Sequence, residues 1–333
     1  MPPNEPRTVV VTGASAGVGR ATALAFARRG WNVALIARDR DGLESAGREI
    51  EQAGGRALTI SADVADANAV FAAAGEVTKR WKAIDVWVNN AMATMFAPVS
   101  DSSPEEFRRI TEVTYLGYVY GTMAALTHMR SRNAGTIVQV GSALGYRAIP
   151  LQSAYCGAKF AIRGFTDALR SELLHENSAI RLTMVQLPAV NTPQFDWARN
   201  KMPRRPQPVP PIHQPEAVAE TIFRASQKAP RELWVAFASV RAILGTMIMP
   251  GVLDRLLARK AYDGQLTPEP RRPEEEDNLF KSLPGRHSAH GRFDDRARSK
   301  VVAFNPAFLR SAIILSATAV IFASTILVCF FFV

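Results

Sequence analysis

The stretch Ser153–Phe165, SAYCGAKFAIRGF, sets a phenol and an ammonium four residues apart, Tyr155 and Lys159, among small and apolar neighbours. On a helix, positions i and i+4 share a face, with Cβ atoms about 6 Å apart. A lysine held beside a phenol favours the phenolate and draws its pKa down from about 10. Tyr155 would then give and take protons near neutral pH. The same spacing also arises when a partly buried tyrosine precedes a solvated lysine, so the pair needs a setting. Cys156 lies beside Tyr155 with no histidine partner in evidence and reads as a small helix filler.

A second chemistry-bearing stretch is VVVTGASAGVGRATA, residues 9–23. Gly13, Gly17 and Gly19 fall between an apolar strand and a helix. Glycines there permit a tight turn and let the backbone approach a pyrophosphate, while the helix N-terminus supplies N–H donors. The spacing is G-x-x-x-G-x-G, and no G-K-[ST] follows, so the turn points to a dinucleotide rather than to a nucleoside triphosphate. The next strand ends in LIARDR. A dinucleotide site has an acid near this point for the ribose hydroxyls, or a base for a 2′-phosphate. Ala37 falls at the acid's position and Arg38 follows, which favours NADP(H) over NAD(H). The other reading has Arg38 solvated and Asp39 taking the ribose.

The elements that would position these residues alternate along the chain. Apolar runs RTVVVTGA, NVALIAR, RALTISADV, IDVWVNNA, GTIVQVGS and IRLTMVQLP read as six strands. Between them the pattern predicts helices over 21–29, 41–52, 67–80, 104–131 and 153–177. Strands that are apolar throughout and alternate with helices argue for a parallel sheet covered on both faces. Residues 193–215 are proline-rich and read as a long substrate loop or lid. A helix over 216–227 and a strand at RELWVAF follow. Residues 240–260 are apolar around Pro250-Gly251, suited to a substrate pocket or a membrane surface. Residues 264–300 are polar and charged and read as a linker.

The 333 residues are 47% hydrophobic, enough for one large domain, and the two cysteines suggest neither a disulfide framework nor a metal site. The formal net charge is +10, but no stripe of interleaved aromatic and basic residues suggests nucleic acid. The N-terminus has no apolar run of signal-peptide length. The run 312–333, AIILSATAVIFASTILVCFFFV, holds 22 uncharged residues and would rise about 33 Å as a helix, enough to cross a bilayer. A buried core helix is the other use of such a run. Arg286, Arg292, Arg296, Arg298, Lys300 and Arg310 precede it, which would keep the preceding domain on the cytoplasmic side. The expected organisation is a catalytic domain over 7–262, a charged linker over 263–308 and a membrane anchor over 309–333.

Taken together, TGASAGVG (12–19), Asp63-Val64, NNA (89–91), Ser142, YCGAK (155–159), and Pro188 with Thr192 resemble the short-chain dehydrogenase/reductase family over roughly residues 7–240. The resemblance implies a single-domain Rossmann-type α/β fold with a doubly wound parallel sheet, followed here by the C-terminal transmembrane helix. It implies Tyr155 as general acid/base, Lys159 as the residue that holds the nicotinamide ribose and lowers the Tyr155 pKa, and Ser142 as a hydrogen-bond partner of the substrate oxygen. Gly13, Ser15, Gly17, Val18 and Gly19 would form the cofactor turn. Asp63, Val64, Asn90 and Ala91 would line the adenosine side, and Pro188, Val190 and Thr192 the carboxamide side. Three positions depart from the family's pattern: Thr114 stands where an asparagine supports a proton relay, and Met92 and Ala189 replace glycines. The expected activity is NADP(H)-dependent interconversion of a carbonyl and a secondary alcohol, on a substrate lipophilic enough to suit the anchor, such as a steroid, retinoid or fatty alcohol. The alternatives are a non-catalytic nucleotide-sensing scaffold at a membrane, which Thr114 would allow, and an epimerase-like enzyme, whose glycine spacing differs. By resemblance a homodimer is also allowed.

Overall fold

The computed structural model describes residues 6–271, 276–285, 287–308 and 311. Its centre is an eight-stranded sheet. The strands are β1 (Thr8–Thr12), β2 (Asn32–Ala37), β3 (Arg56–Ser61), β4 (Val86–Asn89), β5 (Thr136–Ser142), β6 (Arg181–Leu187), β7 (Glu232–Val235) and β8 (Ala303–Phe304). Their spatial order is β8-β7-β6-β5-β4-β1-β2-β3, and every pairing is parallel except the antiparallel β7–β8 edge. Strand order reverses between β1 and β4. The crevice beyond the carboxyl ends of the strands at such a reversal is where ligands sit in open α/β sheets.

Both faces are covered, which explains why β1 is apolar at consecutive positions. Val10 points into a core shared with α3 (Ala67–Trp81) and α6 (Ser153–His175), while Val9 and Val11 point into a second core with α1 (Gly17–Ala27) and α2 (Arg40–Gln52). Alternate side chains of a strand face opposite ways, so both parities must be apolar. Pro215–Lys228, a helix of the second layer, supplies Val218 and Ile222.

The helix expected over 104–131 is present but not uniform. A regular segment, Pro104–Thr111, opens with a Ser103/Glu106 capping box, then passes through a π-turn, Glu112–Leu116, into Gly117–Met129. Thr114 lies within that turn. One extra residue in a turn re-aims the side chains of the following segment.

Of residues 263–308, expected as a linker, the described ones pair and pack with the domain instead. Leu266–Pro270 pairs with Arg204–Pro206, Ala297–Arg298 pairs with Ile212–His213, and β8 extends the main sheet. Leu279 and Phe293 are buried. Charges that suggested a linker are taken up by distant partners: Arg199 bridges Glu106 at 3.0 Å and Asp277 at 2.8 Å, and Arg292 pairs with Asp196. The proline-rich stretch 193–215 is the other half of these pairings. The expected transmembrane helix, 312–333, lies outside the described residues; among the described residues no helix is long and apolar enough to cross a membrane.

Candidate active site

The glycine turn is built by close approach. Gly13 has φ +67°, and a Cβ there would lie 2.8 Å from the Ala91 Cα. A Cβ on Gly19 would lie 2.1 Å from the Gly13 carbonyl oxygen, so the first turn of α1 can sit this close only without a side chain. Asn90 braces the arrangement: its Nδ2 donates to the Thr12 carbonyl at 3.0 Å, while Thr12 Oγ1 accepts from Asn90 N at 2.9 Å and from Ala91 N at 3.1 Å. Ala16, at the N-cap of α1, makes no side-chain cap bond. Gly13, Ser15, Gly17 and Val18 line a cavity of about 1010 Å³, with Gly19 behind them. A glycine turn at a helix N-terminus beside a cavity of this size fits the diphosphate of a dinucleotide; the first helical amide, Gly17 N, is itself taken by the Ser288 carbonyl at 2.9 Å.

At the adenosine end the cavity is lined by Arg38, Asp63, Val64, Asn90 and Ala91. Asp63 pairs with Arg109 and accepts from Ala65 N at 3.0 Å, closing its own turn. Arg38 donates through its guanidinium to the carbonyls of Asn278 and Leu279.

Ser142, Tyr155 and Lys159 line the same cavity, beside Pro188, Val190 and Thr192. Ser142 ends β5, where its Oγ accepts from Leu144 N at 3.1 Å. Tyr155 and Lys159 lie in the first two turns of α6, on the face toward the cavity. Lys159 is buried, with Nζ donating to Tyr118 Oη at 3.0 Å and to the Val140 carbonyl at 2.8 Å. Burial pushes its pKa down from 10.5 to about 7. The Tyr155 phenol shifts opposite to the expectation from its neighbour lysine. Burial raises its pKa, and the hydrogen bond from Ser142 draws it back only in part. Burial outweighs any help from Lys159, whose Nζ is turned to Tyr118 and Val140 and lies 5.6 Å from the Tyr155 ring centroid. Burial also raises the Cys156 thiol to about 11, as suits a small filler.

Thr114 is the one candidate catalytic residue that the structure sets apart. It does not line the cavity, and its hydroxyl both donates to the Ala93 carbonyl and accepts from Ala93 N, each at 2.9 Å. Met92 and Ala189, the two glycine replacements, do line the cavity. Sequence reasoning missed Tyr118, the partner of Lys159. It lies on the same helix as Thr114, but only the π-turn decides which of its faces meets Lys159. The contribution of Asn278, Ser282, Leu283 and His287 to the cavity wall was also missed, because nothing in a charged stretch marks it. The far end is closed by two helices, Phe237–Ile248 and Pro250–Gly264, with Met249, Leu253, Leu256 and Leu257 facing the cavity.

Comparison with known proteins agrees with this geometry. The family model described as short chain dehydrogenase matches residues 7–203. The chain is 33% identical over 284 residues to an uncharacterized oxidoreductase, YxnA, of Bacillus subtilis, covering 84% of this chain and 80% of that protein. It is 32% identical over 224 residues to 3-dehydrosphinganine reductase of Danio rerio, covering 65% of this chain and 67% of the reductase. An alcohol dehydrogenase from Thermococcus sibiricus, solved in complex with 5-hydroxy-NADP, superposes with a TM-score of 0.59 at 30% identity, covering 69% of this chain and 96% of that one.

Proposed function

This chain belongs to the short chain dehydrogenase family, and we propose that it is an NADP(H)-dependent oxidoreductase interconverting a carbonyl and a secondary alcohol on a lipophilic substrate. The observation that carries this reading is the convergence of Ser142, Tyr155 and Lys159 on one cavity with the glycine turn. A nicotinamide cofactor, when bound, gives or takes the hydride. Tyr155 gives its phenolic proton to the carbonyl oxygen in reduction and takes the hydroxyl proton in oxidation. Ser142 donates a hydrogen bond to the same oxygen, where charge develops. Lys159, held by Tyr118 and Val140 with its Nζ 5.6 Å from the Tyr155 ring centroid, replaces the proton that the phenol loses.

Support for NADP(H) comes from Arg38 at the end of β2 and from the neighbour solved with an NADP derivative. Support for a lipophilic substrate comes from the leucine-lined end of the cavity. The same two helices expose Phe237, Met247, Ile248, Met249 and Val252 beside it. A large exposed apolar patch suits contact with a membrane surface or a greasy ligand. The likeness to a 3-dehydrosphinganine reductase supports a carbonyl on a long apolar chain. In this reading the run 312–333 holds the protein in a membrane with the catalytic domain on the cytoplasmic side, and a homodimer is compatible with it.

The test is a fluorescence titration of NADPH and NADH, followed by turnover on a series of ketones of rising chain length. Preference for NADPH and a kcat/KM that climbs with chain length are expected. Tyr155→Phe should lower kcat by about 10³-fold while leaving NADPH binding within a few-fold. A folded protein that bound neither nucleotide would defeat the proposal; one that bound NADPH but turned over no ketone would favour the nucleotide-sensing scaffold.

A further inference from the structure

Cofactor choice at the end of β2 depends on the charge that a 2′-substituent meets. Two acids stand there with Arg38. Asp63 is paired with Arg109. Asp39 caps α2 by accepting from Gly42 N at 2.6 Å, and His287 Nε2 lies 2.7 Å from the same carboxylate oxygen. The two side chains are 9% (His287) and 12% (Asp39) exposed, and both line the cavity. Arg38 has no carboxylate at ion-pair distance among the described residues; its guanidinium is held by the Asn278 and Leu279 carbonyls, which orient it without neutralising it. Of the cations at this end, Arg38 is therefore the one that faces the cavity with no carboxylate against it.

His287 is fixed by backbone contacts. Its own carbonyl accepts from Arg20 at 3.2 Å, and the next carbonyl, Ser288, accepts from Gly17 N at 2.9 Å. The ring lies against the first turn of α2, where a Cβ on Gly42 would fall 2.3 Å from its Nδ1. Neither ring nitrogen has an aligned hydrogen-bond partner in the protein, so the ring stands against the Asp39 carboxylate by contact and retains hydrogen-bonding capacity toward the cavity. This residue lies outside the stretch 7–203 that the family model matches.

We propose that His287 is a specificity-determining residue of the cofactor site. It occupies the Asp39 carboxylate, which would otherwise accept the ribose 2′-hydroxyl and repel a phosphate there, and so leaves Arg38 to receive the 2′-phosphate of NADP(H). A carboxylate facing that phosphate is a repulsive element, and covering it changes the difference between two affinities rather than both together. The inference rests on the NADP(H) reading above.

The experiment measures NADPH and NADH dissociation constants by fluorescence on the full chain in detergent solution. The proteins are wild type, His287→Ala, His287→Gln, Asp39→Asn and the double variant His287→Ala/Asp39→Asn. Asparagine keeps an acceptor for Gly42 N and removes the charge. A wild-type preference for NADPH is expected, falling about tenfold in His287→Ala and His287→Gln and restored in the double variant. If wild type prefers NADPH and both single histidine variants keep that ratio, the inference fails and the NADP(H) reading stands. Equal loss of affinity for both nucleotides, not rescued by Asp39→Asn, would also overturn it, since His287 would then only hold the segment in place. A wild-type preference for NADH would overturn the NADP(H) reading itself, and this inference with it. Should His287→Ala fail to fold, the affinity ratio of His287→Gln decides between the same outcomes.

Discussion

Lys159 carries a cost that can be measured. Its ammonium is buried, and its pKa falls from 10.5 in the unfolded chain to about 7 in the fold. At about 1.4 kcal/mol per pKa unit, confining the charge costs the folded state about 4 kcal/mol at pH 7. Lys159→Met keeps the length and apolar stem and removes the charge. It also removes the hydrogen bonds to Tyr118 Oη and the Val140 carbonyl, each worth about 1 kcal/mol. Tyr118 Oη still donates to Val140 at 2.9 Å, so no buried carbonyl is stranded. The variant should gain about 2 kcal/mol and melt about 5 °C higher, while turnover falls steeply. The sign with pH follows from the direction of the shift. The folded pKa lies below the unfolded one, so the unfolded state binds the extra proton between about 7 and 10.5. The cost is therefore complete below pH 7 and fades as pH rises toward 10.5, and by pH 9 about half is gone. Paired thermal melts by circular dichroism at pH 7 and pH 9 should show the advantage of Lys159→Met shrinking. A variant no more stable than wild type at pH 7, with a pH-independent difference, would refute the argument.

Thr114→Val should lose about 2 kcal/mol in urea unfolding, because Ala93 N and its carbonyl lose their partner, while kcat falls less than tenfold. Unchanged stability with lost turnover would instead place the hydroxyl in the proton relay. Gly19→Ala should abolish NADPH binding in a titration, since its methyl would fall 2.1 Å from the Gly13 carbonyl oxygen; wild-type affinity would contradict the turn geometry. Phe293→Ala should cost about 3 kcal/mol, because the ring packs at 6.0 Å from Phe195 in a buried cluster. A true linker residue would cost nothing.

The central sheet was legible because its inner strands β1, β2, β4 and β5 are buried along their whole length and so rich in apolar residues, and because glycines punctuate the chain where backbones touch. The cofactor turn and the Ser142–Tyr155–Lys159 set were legible as residue types at fixed spacing. The π-turn at Thr114 was not, since it depends on which carbonyl an amide reaches and leaves no mark in composition. The segment 277–305 was hidden for a different reason. Asp277, His287 and Arg292 find their partners 78, 248 and 96 positions away, at Arg199, Asp39 and Asp196. Such pairings have no local period, and the segment's buried Leu279 and Phe293 are too few to announce a packed segment. Electrostatics were misjudged at Tyr155 because a spacing of four says nothing about how dry the site is.

Strand β8 ends at Phe304, and the apolar run begins at residue 312. The intervening residues 305–311, even fully drawn out, reach about 25 Å. A domain of this size is about 50 Å across. Such a leash would be shorter than the body it holds. In the proposed membrane-held form, the sheet edge at β8 would stay within that reach of the lipid, and the domain would take only a restricted set of orientations above it. That restriction would narrow the search for a substrate from a volume to a plane.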